Sequence, residues 1–326
     1  VKNMAGLNAA ARYCRLGISS TQAVADKLQA LVFDKHCLVN DNGLDSLSGN
    51  ALAATQSAKQ TKRKKIVLVN VFFPPQAIGG GTRVVSDNFD IFQRDYAEEF
   101  EVCVFTSDAE HKSPYRLSIY SHQGARVYRC SVCWHEYMDW YAFDDKMYAL
   151  FSEFLQLEQP DLVHFHCVQR LTASVVAAAR DMNIPYLVTV HDAWWISDYQ
   201  FLVDANHRVY PDGHPDPAQP CPPPAGISLT DSSTRISSLK ALLHDARMVL
   251  TVSESFAQLY RKNGIPQIQV NKNGLSDSVI WQSKETNYTA QVVCGHVGGM
   301  AEHKGFFLFK AAVEKLQPQH IEFLIV

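Results

Sequence analysis

Lys65–Val85 reads KIVLVNVFFPPQAIGGGTRVV, and its order of residue types sets the fold class. Ile66-Val67-Leu68-Val69 is an apolar, β-branched run of the kind that fills a strand buried on both faces. Phe73-Pro74-Pro75 stops that strand, because proline removes a ladder donor and fixes its own backbone. Gly79-Gly80-Gly81 follows, with Thr82 expected as the cap of a helix that Val84 and Val85 begin. A strand, a glycine loop and a helix start aim free backbone N–H groups and a helix dipole at one spot, which suits phosphate. The alternative is a tight turn that needs glycine for sterics alone. The dinucleotide fingerprint is absent: G-x-G-x-x-G is not present, and the next strand, Phe100–Thr106, runs into Thr106-Ser107-Asp108.

Outward from this stretch the chain alternates strand and helix. Strands are expected near 100–106, 125–130, 161–166, 185–190 and 247–252, and helices near 82–97, 144–158, 170–182, 233–244 and 254–263. That rhythm predicts an α/β fold with a doubly wound parallel sheet. Ligands of such sheets lie beyond the carboxyl ends of the strands. The residues there are His164-Phe165-His166, then His191-Asp192-Ala193-Trp194-Trp195, then Ser253-Glu254 as a capping start. A single histidine at a strand end is commonly a satisfied structural group. Three, on the side where the glycine loop opens, point to a site.

Residues 1–64 read as an appended helical and linker segment. The segment 195–229 is aromatic at its start and then rich in proline and glycine, which reads either as an acceptor-side lid or as a plain insertion. A composition break covers 276–290. Val292–Gly299 opens a new strand and glycine turn, Phe306–Leu316 a helix, and His320–Val326 a further strand.

The 326 residues, 47% of them hydrophobic, suffice for two cores, and a net charge of -3 leaves no electrostatic footprint for nucleic acid. The run Lys62-Arg63-Lys64-Lys65 reads as a solvated lead-in to the sheet, with contact to anionic lipid as the alternative. Eight scattered cysteines suggest reduced thiols in a cytosolic protein. Cys130 and Cys133 form a C-x-x-C with His135 nearby, but lack a second pair at zinc spacing, so no metal is expected.

Together these motifs resemble the family 4 retaining glycosyltransferases of the GT-B fold. The resemblance rests on Phe73-Pro-Pro with Gly79-Gly80-Gly81, Asp161-Leu-Val-His-Phe-His166, Thr189-Val-His-Asp192, Val252-Ser253-Glu254, Asn273-Gly274-Leu275 and Glu302-His-Lys-Gly305, across residues 65–326. It implies an acceptor-side domain at 65–275, a crossover at 276–290 and, at 291–326, the first part of a nucleotide-sugar-binding domain. It also implies sugar transfer, with retention, from a nucleotide-sugar to a saccharide or lipid-linked acceptor in polysaccharide biosynthesis, without cofactor or metal. The setting implied is cytoplasmic, with peripheral contact at the inner membrane face.

Residue by residue, His191 matches the strand-end histidine that contacts the transferred sugar, and Lys304 the lysine that neutralises the departing diphosphate. A fixed cation there has a chemical reason, since charge builds as the nucleoside diphosphate leaves. Gly79, Gly80 and Gly81 belong to the donor-phosphate set, as does Gly299, which stands where the family often has arginine. His164, His166, Asp192, Trp194 and Trp195 are the acceptor-side candidates. The family's paired-glutamate motif falls past Val326, so residues 1–326 alone are expected to bind nucleotide-sugar poorly, and the 320–326 edge to seek a partner strand. An Asp-x-Asp metal site, as a GT-A transferase would use, is missing. The rival reading is a non-catalytic relative that binds a glycan or partner through 195–229.

Overall fold

A computed structural model describes residues 63–76, 79–108, 113–204, 206–213, 223–274, 292–300, 302–316 and 321–325. The expected extension at 1–64, apart from its last two residues, and the crossover at 276–290 lie outside the described residues.

Strand β1 (Lys64–Asn70) occupies the middle of an eight-stranded sheet. The others are β2 (Phe100–Asp108), β3 (Leu117–His122), β4 (Ala125–Ser131), β5 (Leu162–Phe165), β6 (Tyr186–Val190), β7 (Met248–Thr251) and β8 (Gln269–Val270). Their order is β3-β4-β2-β1-β5-β6-β7-β8, parallel except that β3 runs antiparallel to β4. The apolar run of β1 divides between the two faces because side chains alternate along a strand. Ile66 and Leu68 join Val102, Val104 and Phe89 on one face; Val67 and Val69 join Cys103, Phe105 and Phe151 on the other. Both faces are therefore covered, and the sheet is doubly wound as the sequence predicts.

Helix α1 (Gly79–Asp95) lies on the first face and buries Thr82, Val85, Phe89 and Phe92, a 3-4-3 spacing that makes one stripe. Phe73 wedges its ring edge-on against Phe89, with centroids 5.4 Å apart. Helices α2 (Asp145–Glu158), α3 (Ser174–Asp181), α4 (Leu229–Asp245) and α5 (Glu254–Lys262) supply the opposite face. Asp144 caps α2 by accepting from the backbone N–H groups of Lys146 and Met147, and Ser253 caps α5 at Phe256 N–H, as expected.

Three expectations change. The glycine triplet is itself the first turn of α1, so Thr82 sits inside the helix and is buried rather than capping it. The helix expected at 170–182 is split: a 3-10 turn at Gln169–Leu171 ends at Thr172, whose φ is 62°, and α3 starts at Ser174. The antiparallel edge strand β3 was not expected, since its side chains are largely exposed and carry no apolar run.

The basic run before β1 is tied to the sheet. Lys64 pairs with Asp161 at 2.8 Å, and Arg63 donates to the Ala97 carbonyl at 2.9 Å. Lys65 reaches Glu158 at 2.9 Å, and the same buried carboxylate accepts from Arg126 at 2.8 Å and from the Tyr128 hydroxyl. Those partners hold Glu158 below the usual carboxylate range although burial acts the other way.

Beyond this sheet, β9 (Val292–His296) and β10 (Ile321–Ile325) pair in parallel as a separate two-stranded sheet, joined through a 3-10 turn at Glu302–Lys304 and helix α6 (Phe306–Leu316). Among the described residues no helix is long and apolar enough to cross a membrane.

Candidate active site at the carboxyl edge of the sheet

Parallel pairing puts the ends of β1, β5 and β6 on one edge, where Asn70, His166 and His191 follow one another across the sheet. Asn70 is fully buried and joins two of these ends: its side chain donates to Phe72 O at 2.6 Å and accepts from Cys167 N–H at 3.0 Å. Cys167 O in turn accepts from Val71 N–H at 2.6 Å. A strand-terminal asparagine bonding two backbones fixes where both chains turn off the sheet. It carries no motif of its own in the sequence.

The three histidines form one stack. His164 and His166 have centroids 4.2 Å apart, and His166 and His191 5.4 Å with near-parallel planes. His164 is buried and hydrogen-bonds Thr189 Oγ1 through Nε2 at 2.8 Å, so it serves the sheet interior. His166 Nδ1 meets His191 Nε2 at 3.1 Å, while His166 Nε2 is buried without a partner among the described residues. Burial brings His191 down to about 4 and His164 to about 3, the latter helped by His191; His166 falls well below its ordinary range for the same reasons. All three are neutral at pH 7.

The unpartnered nitrogen selects the tautomer. A buried N–H without an acceptor is rarer than an unused acceptor. His166 therefore carries its proton on Nδ1 and donates to His191 Nε2. His191 then carries its own proton on Nδ1, the nitrogen left for a ligand.

Gly81 lies directly against this group. A Cβ added there would stand 3.1 Å from Cys167 Sγ and 4.0 Å from His191 Cγ. Gly79 and Gly80 are exposed and have open space around them, with Gly79 at φ +78°. The start of α1, built of three residues without side chains, thus sits beside His191. That supplies hydrogen-bond donors and a positive helix end next to a neutral imidazole. Burial keeps the Cys167 thiol protonated, so it acts here as a packing group.

The other expected residues lie apart from that pair. Asp192 is the hub of a structural clamp: its carboxylate accepts from Gln169 at 3.0 Å, Gln200 at 2.6 Å and Trp194 N–H at 3.0 Å. Trp194 and Trp195 are in the core, at 1% and 2% exposure, and the Trp194 indole donates to Asp139 O. Both tryptophans, acceptor-side candidates by sequence, belong to the main core cluster. Lys304 is exposed on the Glu302–Lys304 turn, whose contacts run to that same segment: Phe201 stacks on His303, and His207 pairs with Glu302 at 2.8 Å. Gly299, also exposed, lies just before the turn. Cys130 is buried in β4, its thiol pushed up to about 12 by burial, and among the described residues no group of three or more His, Cys, Asp or Glu is placed to hold a metal.

No curated protein matches the chain in sequence. Among solved structures it is similar to trehalose-6-phosphate from E. coli bound with UDP-2-fluoro glucose, at 11% identity and TM-score 0.47, covering 80% of this chain and 64% of that one. An S. aureus MnaA–UDP co-structure gives 14%, 0.41, 80% and 61%. The α,α-trehalose 6-phosphate synthase of Burkholderia multivorans gives 13%, 0.35, 61% and 41%. The chain thus spans less than two thirds of the length of each. The model of the glycosyl transferase 4-like domain matches residues 79–274, more than half of the chain and all of the edge that carries Gly81, His166 and His191. The chain belongs to the glycosyl transferase 4-like domain family.

Proposed function

We propose that this protein is a glycosyltransferase that moves a sugar from a nucleotide-sugar donor to a saccharide or lipid-linked acceptor, with retention and without a metal ion. The observation that carries the reading is the closeness of Gly81 to His191: the all-glycine first turn of a helix lies against a neutral imidazole that is bonded through Nε2 to His166 and, among the described residues, leaves Nδ1 to a ligand. The bare helix start suits the donor diphosphate, since its backbone donors and dipole favour an anion. His191 Nδ1–H donates to a hydroxyl of the transferred sugar or to a diphosphate oxygen. A neutral donor suits this place because it orients the sugar without trapping the product diphosphate as a second fixed charge.

Lys304 answers the charge that develops on the leaving diphosphate when the bond to the anomeric carbon breaks. Its turn touches Phe201 and His207 of the insertion after β6. The protein acts in the cytoplasm, in polysaccharide assembly, with lipid-linked acceptors met at the membrane face. Incubation of the complete protein with a panel of UDP- and GDP-sugars, followed by nucleoside diphosphate release, tests this. Release that falls at least a hundredfold in His191→Ala, with melting unchanged, supports the reading. Release unchanged in the variant, or absent from the wild-type protein with every donor, overturns it.

A further inference from the structure

Away from His191, the loop between β4 and α2 and the segment after β6 enclose a cavity of about 790 Å³. That size lies within the range of small-ligand sites. Trp134, Tyr137, Trp140 and Tyr199 line it, with Trp134 76% exposed. The sequence signal for it is the aromatic density of WHEYMDWYAF, residues 134–143.

The floor is held rigidly. Arg235, buried in α4, donates to Trp140 O at 2.7 Å, Ser197 O at 3.1 Å and Trp194 O at 3.1 Å, and its guanidinium covers the rings of Trp140 and Trp194. The Trp140 indole donates to Asp198 at 2.9 Å. Aromatic walls on fixed backbone suit the C–H faces of a pyranose ring, with the exposed carboxylates of Glu136 and Asp139 beside them to accept from hydroxyls, while Asp198 and Asp204 are buried and already bonded at both oxygens.

Charge decides which sugar. Glu136, Asp139, Asp198 and Asp204 line the cavity with His135, and among the described residues no lysine or arginine does. Asp198 is compensated from below by Arg235 at 3.8 Å and Asp139 from the side by Arg170 at 3.2 Å. Asp204 accepts from Asn206 and Arg208 backbone N–H groups, while Glu136 stays exposed at the rim. Such a lining repels a phosphate or carboxylate brought in by a ligand.

We infer that this groove is an acceptor subsite for an uncharged saccharide unit, held by stacking on Trp134 and Tyr137 and by hydroxyl bonds to the carboxylate rim, and that it excludes sugar phosphates and uronic acids. As an acceptor site it rests on the transferase reading; as a saccharide site it does not. The test is isothermal titration of the complete protein with neutral gluco-, galacto- and manno-configured di- and trisaccharides, and with the 6-phosphates and uronic acids of the same sugars. At least one neutral saccharide binds, the charged ones bind at least tenfold more weakly, and Trp134→Ala weakens the neutral ligand at least tenfold while donor hydrolysis is unchanged. Glu136→Lys narrows the gap between neutral and charged ligands. No binding by any neutral saccharide, equal binding of the phosphates, or indifference to Trp134→Ala overturns the inference. Neutral binding without donor hydrolysis by the wild-type protein would remove the transferase reading and leave the saccharide groove.

Discussion

Phe201 and His303 stack face to face, with ring centroids 4.1 Å apart and planes 6° from parallel. The contact joins the insertion after β6 to the turn that carries Lys304, with His207 and Glu302 paired beside it. A ring pair contributes about 0.5–1.5 kcal/mol beyond its buried area. Phe201 is half-exposed, so truncation leaves the main core intact. Phe201→Ala is expected to weaken UDP binding about two- to tenfold, following that energy, with little change in melting. Titration of UDP into both proteins checks this; equal affinity would show that the stack merely anchors the insertion.

Two neighbouring glycines should behave differently. Gly80 has open space at its Cβ position and an ordinary helical backbone, so Gly80→Ala is expected to be neutral or to stabilise by about 0.5–1 kcal/mol through the unfolded chain. Gly81→Ala drives a methyl to 3.1 Å from the Cys167 sulfur and against the His191 ring. The contact with His191 Cγ is an ordinary one at 4.0 Å, so the accommodation falls first on the Cys167 sulfur that packs beside the imidazole. Donor turnover should drop at least tenfold in Gly81→Ala and little in Gly80→Ala. A reversed order in a nucleoside diphosphate release assay would contradict the placement of His191 beside the helix start.

The buried histidines make stability depend on pH in a definite direction. His191 falls from its ordinary 6.5 to about 4 and His164 to about 3, both through burial. The unfolded chain therefore binds protons that the folded chain refuses once the pH drops below about 6.5. Their contribution is full above that pH, and is lost as the pH falls through about 4 and then 3. Urea unfolding between pH 7 and 4 should show this decline, and His164→Asn, which keeps a polar partner for Thr189, should flatten it. An unchanged slope in that variant would place the acid sensitivity in other groups.

Much of the sheet was legible because β1, β2, β5 and β6 are buried on both faces, and burial forces apolar runs that a sequence displays. The exposed edge strand β3 was not, since Leu117 and Ile119 face solvent among polar residues. The glycine triplet reads as a loop by composition, yet it is the first turn of α1, and only at Gly81 does a neighbour, the Cys167 sulfur at 3.1 Å, crowd an added Cβ. His191 and Gly81 were singled out by their place at strand and helix ends, and they lie side by side in the structure. Trp194 and Trp195 occupy an equally suggestive place but turn inward, a choice made by Arg235 and Asp139 from distant parts of the chain. The groove of Trp134 and Tyr199 was hidden for the same reason: two segments far apart in sequence build it, and neither holds a motif.

Arg235 is the residue on which that groove and the core beneath it both depend. It is 4% exposed, lies over two indole rings, donates to three carbonyls and faces Asp198 at 3.8 Å. Burial lowers it to about 10, opposed by Asp198 and Asp192, so it remains charged at neutral pH. Arg235→Lys keeps the charge but loses the planar fork that reaches separate carbonyls, and should cost about 2–3 kcal/mol. Arg235→Ala also leaves Asp198 without its cation and opens space under Trp140, for about 3–5 kcal/mol. Urea unfolding monitored by tryptophan fluorescence measures both. Because Trp140 is held by this side chain as well as by Asp198, the lysine variant should also bind the neutral saccharide more weakly while donor hydrolysis persists. Equal saccharide affinity in Arg235→Lys would mean that the walls of the groove are fixed by Asp198 and the Trp140 indole alone.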